Sequence, residues 1–192
     1  MINKPIAMYA DGGVIEKNPS PIGGTFAVRI IHADNTTEQH SGIILPKHGM
    51  RGFVSNNISE LAAVVCGLSK LPDLWRGIIY SDSWVTLQRV FHGAKMNNVP
   101  EWLEDKMLQE MQRLEIPRFW ERLTYQEQLK RHERRGITYV LLDGHPTKAQ
   151  LAEGIGKRGN PVSEHNVWCD KECQRLAREY KGSVSDAKHT AL

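Results

Sequence analysis

The chain has 192 residues, of which 40% are hydrophobic and 24% charged, with a formal charge of +3 and a pI near 8.8. That length suits one domain with a filled core and is short for two, and no apolar run approaches the roughly 18 residues of a membrane span. A mildly basic balance permits a polyanionic partner without requiring one.

The start, Met1 to Ile6, lacks the basic-then-apolar pattern of an export signal, so a cytoplasmic protein is expected. Cys66, Cys169 and Cys173 leave one thiol over in any disulfide scheme, which fits a reducing compartment.

Ile6 to Asp11 reads as a short buried strand, Thr25 to Ile31 as a second, and Thr36 to Leu45 as a third after the Asp34-Asn35 turn, an antiparallel opening. Asn57-Ile-Ser-Glu60 has capping-box spacing, and Leu61, Val64, Val65 and Leu68 follow at helical intervals. Gly77 to Ser81 is a compact apolar strand. Ser83 then caps a helix carrying Val85, Leu87, Val90 and Phe91.

Pro100 suits the first turn of a helix with Trp102, Leu103, Met107, Met111 and Leu114, and a further run begins near Phe119 after Pro117. Thr138 to Leu142 returns to strand. A Gly- and Lys-rich loop from Gly144 to about Ser163 precedes a last helix with Val167, Cys173, Leu176 and Tyr180. Residues 1–181 are expected to form one domain and 182–192, which are polar, a frayed tail. The order of elements predicts a mixed sheet with packed helices, α/β or α+β.

Four acids stand in distinctive local contexts: Asp11 in Tyr-Ala-Asp-Gly-Gly, Glu60 in Asn-Asn-Ile-Ser-Glu, Asp82 in Ser-Asp-Ser and Asp170 in Asn-Val-Trp-Cys-Asp. Asp11 and Asp82 each close a predicted strand, where side chains emerge from a rigid support; turn chemistry accounts for either one equally. Glu60 fits a helix cap and Asp170 a solvated first turn, both favourable to the helix dipole. If the four meet in space, they make a metal-dependent nuclease site.

Taken together, the blocks resemble ribonuclease H of type 1. Its strand-end Asp-Gly and following Asn-Pro-x-Pro-x-Gly match Asp11-Gly12 and Asn18-Pro19-Ser20-Pro21-Ile22-Gly23. Its two asparagines before a helix-start Glu match Ser55-Asn56-Asn57-Ile58-Ser59-Glu60, and its Ser-Asp-Ser matches Ser81-Asp82-Ser83. Its Gly-His and Asn-x-x-x-Asp match Gly144-His145 and Asn166 to Asp170. The resemblance spans Ile6 to about Tyr180.

It implies an RNase H-like α/β fold: a five-stranded mixed sheet, the first three strands antiparallel and the rest parallel, flanked by helices. It also implies an endonuclease that cuts the RNA strand of RNA/DNA hybrids with two Mg²⁺ ions, Mn²⁺ substituting, and leaves 5′-phosphate and 3′-hydroxyl ends. Asp11, Glu60, Asp82 and Asp170 would be metal ligands, and His145 would assist product departure or proton transfer, with His165 as its rival. Asn18, Asn56, Asn57 and Asn166 would contact substrate, Ser55 a phosphate of the DNA strand. A monomer is expected, with no membrane partner.

The chemistry agrees. Mg²⁺ prefers carboxylate and water oxygens, and two cations can serve both the attacking water and the departing sugar oxygen. Amides can donate to and accept from the 2′-hydroxyl that separates RNA from DNA.

The chain departs from the family in three places. Trp84 stands where many members have glutamine, and offers stacking in place of hydrogen bonding. The region of the family's basic protrusion contains Glu101, Glu104, Asp105 and Glu110; positive charge lies at Lys130, Arg131, Arg134, Arg135, Lys148, Lys157 and Arg158 instead. The loop from His145 to Asn166 is long, and Gly154, Gly156 and Gly159 are expected to make it mobile.

A zinc reading of His165, Cys169 and Cys173 fails on helical geometry, since the first and third lie roughly 12 Å apart along the axis. An actin-like or sugar-kinase ATPase would need a second phosphate loop and a longer chain. The open alternatives are a non-catalytic nucleic-acid binder on the same scaffold and a related DNA-cleaving nuclease.

Overall fold

The computed structural model describes residues 4–46, 51–116, 127, 130 and 133–189. Its sheet has five strands in the order β3-β2-β1-β4-β5. They are β1 (Pro5–Val14), β2 (Gly24–His32), β3 (Thr37–Ile44), β4 (Gly77–Ser81) and β5 (Ile137–Leu141). β1–β2 and β2–β3 pair antiparallel, and β1–β4 and β4–β5 parallel, as expected from the family resemblance. The helices are α1 (Asn56–Lys70), α2 (Trp84–Phe91), α3 (Glu101–Arg113), α4 (Lys148–Glu153) and α5 (Glu164–His189). No described helix is long and apolar enough to cross a membrane.

Strand alternation splits the core into two layers. Met8, Ala10, Val28, Ile30 and Ile79 face α1, α2 and α3, where Leu61, Val64, Leu68, Leu87, Phe91 and Met107 complete the larger cluster. Tyr9, Ala27 and Ile31 face α5 and its buried Cys169 and Cys173. The two thiols donate to the carbonyls of Tyr9 and Asp11, at 3.9 and 3.5 Å, which seats α5 on β1. α3 is clamped to α1: Glu110, 3% exposed, pairs with Lys106 at 2.6 Å and Arg113 at 2.7 Å, and Arg113 also donates to the carbonyls of Leu68 and Leu71.

Several boundaries differ from those read in the sequence. β1 continues through Gly12 and Gly13 to Val14, because those residues pair with Phe26 and Thr25 of β2; Asp11 therefore lies within the strand. α1 begins at Asn56, with Ser55 as N-cap making no side-chain cap bond, so the Asn57–Glu60 capping box does not form. The side chain of Asn18 replaces it, Oδ1 accepting from the Asn56 N–H at 3.0 Å. Glu60, a turn into the helix, is left to face the sheet.

The long loop is built, not loose. Thr147 and Gln150 form a reciprocal capping box on α4, and Gly154 ends that helix with φ of 77°. Asp143 then holds the returning chain, accepting from the Arg158 N–H at 2.6 Å, Arg158 Nε at 2.8 Å and Asn160 Nδ2 at 2.9 Å. Of the glycines expected to confer mobility, Gly156 is required by packing, since a side chain there would strike Asp143, and Gly154 and Gly159 adopt φ of 77° and 83°. α5 runs past Gly182, where the sequence reading begins the tail, to His189. The run near Phe119, and Arg131, lie outside the described residues.

Candidate active site

The register of β1 and β4 creates the site. Tyr9 pairs with Tyr80, their rings stacked at 4.4 Å, and two residues further along each chain come Asp11 and Asp82. Parallel pairing therefore brings these carboxylates out level, Asp11 within β1 and Asp82 just past the end of neighbouring β4.

Gly12 brings in the third acid. Any side chain there would overlap the backbone of Ser59 and Glu60, so glycine is what lets the start of α1 lie against β1. The Gly12 N–H donates to Asp11 Oδ1 at 2.7 Å and to Glu60 Oε2 at 3.2 Å. Asn56 Nδ2 lies 3.4 Å from Glu60 Oε1. One carboxylate oxygen each from Asp11, Glu60 and Asp82 falls within 4.8 Å of the others.

Asp170 stands beside this trio without joining it. Both its oxygens accept from Gln174 Nε2 at 3.0 Å, and Oδ2 lies 3.4 Å from His145 Nδ1. It is still close enough for its charge to act on Asp11 and Asp82.

Burial first, and then repulsion from Asp82 and Asp170, holds Asp11 well above the usual aspartate range. Burial and then the charges of Asp11 and Asp82 raise Glu60 likewise. Burial raises Asp82 too, against the opposing hydrogen bond from Asn166. Among the described residues, none of the three makes an ion pair with lysine or arginine. Buried, crowded and uncompensated oxygens are a donor set suited to hard divalent cations.

Gly144 gives Asp82 its room, since an added methyl group would meet Asp82 Oδ2. Next to it His145 adopts φ of 51°, uncommon for a residue with a side chain, and its exposed ring turns toward Asp170. His165 is placed elsewhere. It lies in the first turn of α5, its ring 4.9 Å from that of Tyr9, and burial together with Arg29 lowers its pKa.

Asn166, expected as a substrate contact, is 3% exposed, and its amide donates to Asp82 Oδ2 at 3.4 Å. Asn18, Ser55, Asn56 and Asn57 gather at the start of α1, the first and third joined by the Asn18–Asn56 bond. Trp84, 37% exposed, opens α2 with its ring 6.0 Å from that of His92.

Sequence reading missed Arg89. It is 8% exposed, burial lowers its pKa, and Nη1 has no hydrogen-bond partner among the described residues. With Arg51, Ser55, Asn57, Asn97 and Asn98 it lines a groove of about 610 Å³ beside the start of α1. Within an amphipathic helix an arginine reads as a solvated polar face; only the packing of α2 reveals a buried cation.

No family model and no curated protein matches the sequence. Solved structures do match the fold. The N-terminal RNase H domain of Rv2228c from Mycobacterium tuberculosis superposes with a TM-score of 0.54 at 16% identity, covering 93% of this chain and 99% of that one. LC11-RNase H1 in complex with an RNA/DNA hybrid gives 0.52 at 17% identity, covering 90% and 96%. RNase H1 from the halophilic archaeon Halobacterium salinarum NRC-1 gives 0.52 at 15%, covering 91% and 98%. The chain therefore has the ribonuclease H fold, with a carboxylate cluster where β1, β4 and α1 meet.

Proposed function

We propose that this chain is a single-domain, metal-dependent endonuclease that cuts the RNA strand of RNA/DNA hybrids, leaving 5′-phosphate and 3′-hydroxyl ends. The observation that carries the reading is the convergence of Asp11, Glu60 and Asp82 within 4.8 Å, with Asp170 alongside, on the fold of ribonuclease H. The hybrid in the LC11-RNase H1 structure supports the substrate class.

Asp11, Glu60, Asp82 and Asp170 would hold two Mg²⁺ ions, or Mn²⁺ in their place, which when bound supply water activation and charge neutralisation at the departing oxygen. Asn166 keeps Asp82 oriented, and the Gly12 N–H does the same for Asp11 and Glu60. His145, exposed and paired with Asp170, moves a proton at the mouth of the site and aids product departure. Asn18, Asn56 and Asn57 read 2′-hydroxyls. Ser55 and the groove containing Arg89 take a phosphate of the DNA strand, and Trp84 stacks on a base or sugar.

The test uses labelled RNA/DNA hybrid, RNA duplex and DNA duplex, each with Mg²⁺, Mn²⁺ or chelator. Ion-dependent cutting of the hybrid's RNA strand alone is expected. Asp82→Asn should reduce the rate more than about a hundredfold with the fold retained, and activity within a few-fold of wild type would end the reading. Cleavage of DNA duplex would indicate a DNA-cutting relative, and binding without cleavage a non-catalytic module.

A further inference from the structure

The helix α4 that interrupts the long loop packs near α5 and leaves between them a recess of about 670 Å³. Arg29 of β2, Lys148 and Leu151 of α4, and Trp168 and Lys171 of α5 line it, with Glu164 as its acidic member. Three cations against one carboxylate make it electropositive. Strand alternation sends Arg29 to the α5 face, where its guanidinium lies 5.3 Å from the centre of the Trp168 ring. Among the described residues its buried Nε–H has no acceptor, and neither Arg29, Lys148 nor Lys171 makes an ion pair.

The recess is joined to the candidate active site by both its walls. Lys171 follows Asp170 in the chain, and Lys148 lies three residues after His145, a backbone span of at most about 11 Å. A nucleic-acid strand rising 3.4 Å per nucleotide covers such a distance in about three steps.

We propose that this recess is a second nucleic-acid contact, seating phosphates of the RNA strand as it leaves the candidate active site. The proposal rests on the hybrid-nuclease reading above. It gives α4 a purpose: the helix supplies one wall and one cation, and Trp168 holds Arg29 ready for an incoming oxygen. Ion pairs to phosphate here add affinity without touching the reacting atoms, so their loss acts on KM and leaves kcat alone.

Lys148→Glu combined with Lys171→Glu is the variant, both side chains being exposed, with a thermal melt to check the fold and the Gln pair as a milder form. On a long hybrid of about 20 base pairs in Mg²⁺, KM should rise about tenfold with kcat within twofold, and the salt dependence of affinity should weaken by about two phosphate contacts. A short hybrid confined to the central site should be cut as by wild type. Unchanged KM and salt dependence on the long hybrid would overturn the proposal. A second arm separates it from the nuclease reading: binding of a labelled single-stranded RNA of about 12 nucleotides, read by anisotropy. If wild type cuts no hybrid, the nuclease reading fails, yet binding weakened fivefold or more by the Glu pair still upholds the recess as an RNA contact. Equal binding by wild type and variant, or no binding by wild type, overturns it.

Discussion

Replacing Asp11 with asparagine should make the metal-free protein more stable while removing its activity. The three clustered oxygens lie within 4.8 Å, and two unit charges at that distance repel by about 3.5 kcal/mol at an effective dielectric of about 20. The native site relieves part of this by taking up protons, which is what the raised pKa values of Asp11, Glu60 and Asp82 express. An amide at position 11 keeps the shape and can still accept from the Gly12 N–H. A gain of about 1–3 kcal/mol is expected at neutral pH, several degrees in Tm at about 2–4 °C per kcal/mol for a chain of this size.

The sign follows from linkage. Unfolded carboxylates titrate near 4, the native ones higher, so the folded state binds more protons between those values and loses stability as pH rises through them. Wild type should therefore show its deficit relative to Asp11→Asn in full above the raised native values. The deficit should shrink toward about pH 4, where the native acids are protonated. Chelated samples melted across pH, followed by circular dichroism, provide the measurement. Added Mg²⁺ should stabilise wild type more than the variant, by mass action on the folded state. A variant less stable than wild type at neutral pH, or a difference that ignores pH, would refute the picture of an uncompensated charge cluster.

Gly144→Ala places a methyl group against Asp82 Oδ2, so hybrid cleavage should fall at least about tenfold through a displaced carboxylate; melting should show the fold intact, and full activity would contradict the packing. Asp143→Asn removes the charge that holds Arg158 and Asn160. Trypsin should then cut after Lys157 or Arg158 about tenfold faster or more, since the charge-assisted hydrogen bonds that hold the returning chain are weakened. An unchanged cleavage rate would mean that the loop is held by α4 alone.

Local chemistry wrote the elements into the sequence. Short apolar runs announced β1, β2 and β4, apolar spacing announced α1, α2 and α3, and the Ser83 cap appears where the residue type calls for it, its hydroxyl oxygen accepting from the Thr86 N–H. The four acidic blocks were legible as well, because each has a short context of its own.

Sequence alone left open which role each acid plays. Glu60 fits a cap as well as a ligand, and it faces Asp11 only because Gly12 lets α1 lie against β1 and because Asn18 caps the helix in its place. Asp11 and Asp82 are 71 residues apart in the chain, and the parallel register of Tyr9 with Tyr80 sets them level. Burial raises the pKa values of the trio, leaves Arg89 Nη1 without a hydrogen-bond partner among the described residues, and separates His145 from His165. A one-dimensional pattern records which side chains share a face of their own element. Which elements then close on one another, and how much water they exclude, depends on long-range packing, and that packing gathers Asp11, Glu60 and Asp82 into one cluster with Asp170 beside it.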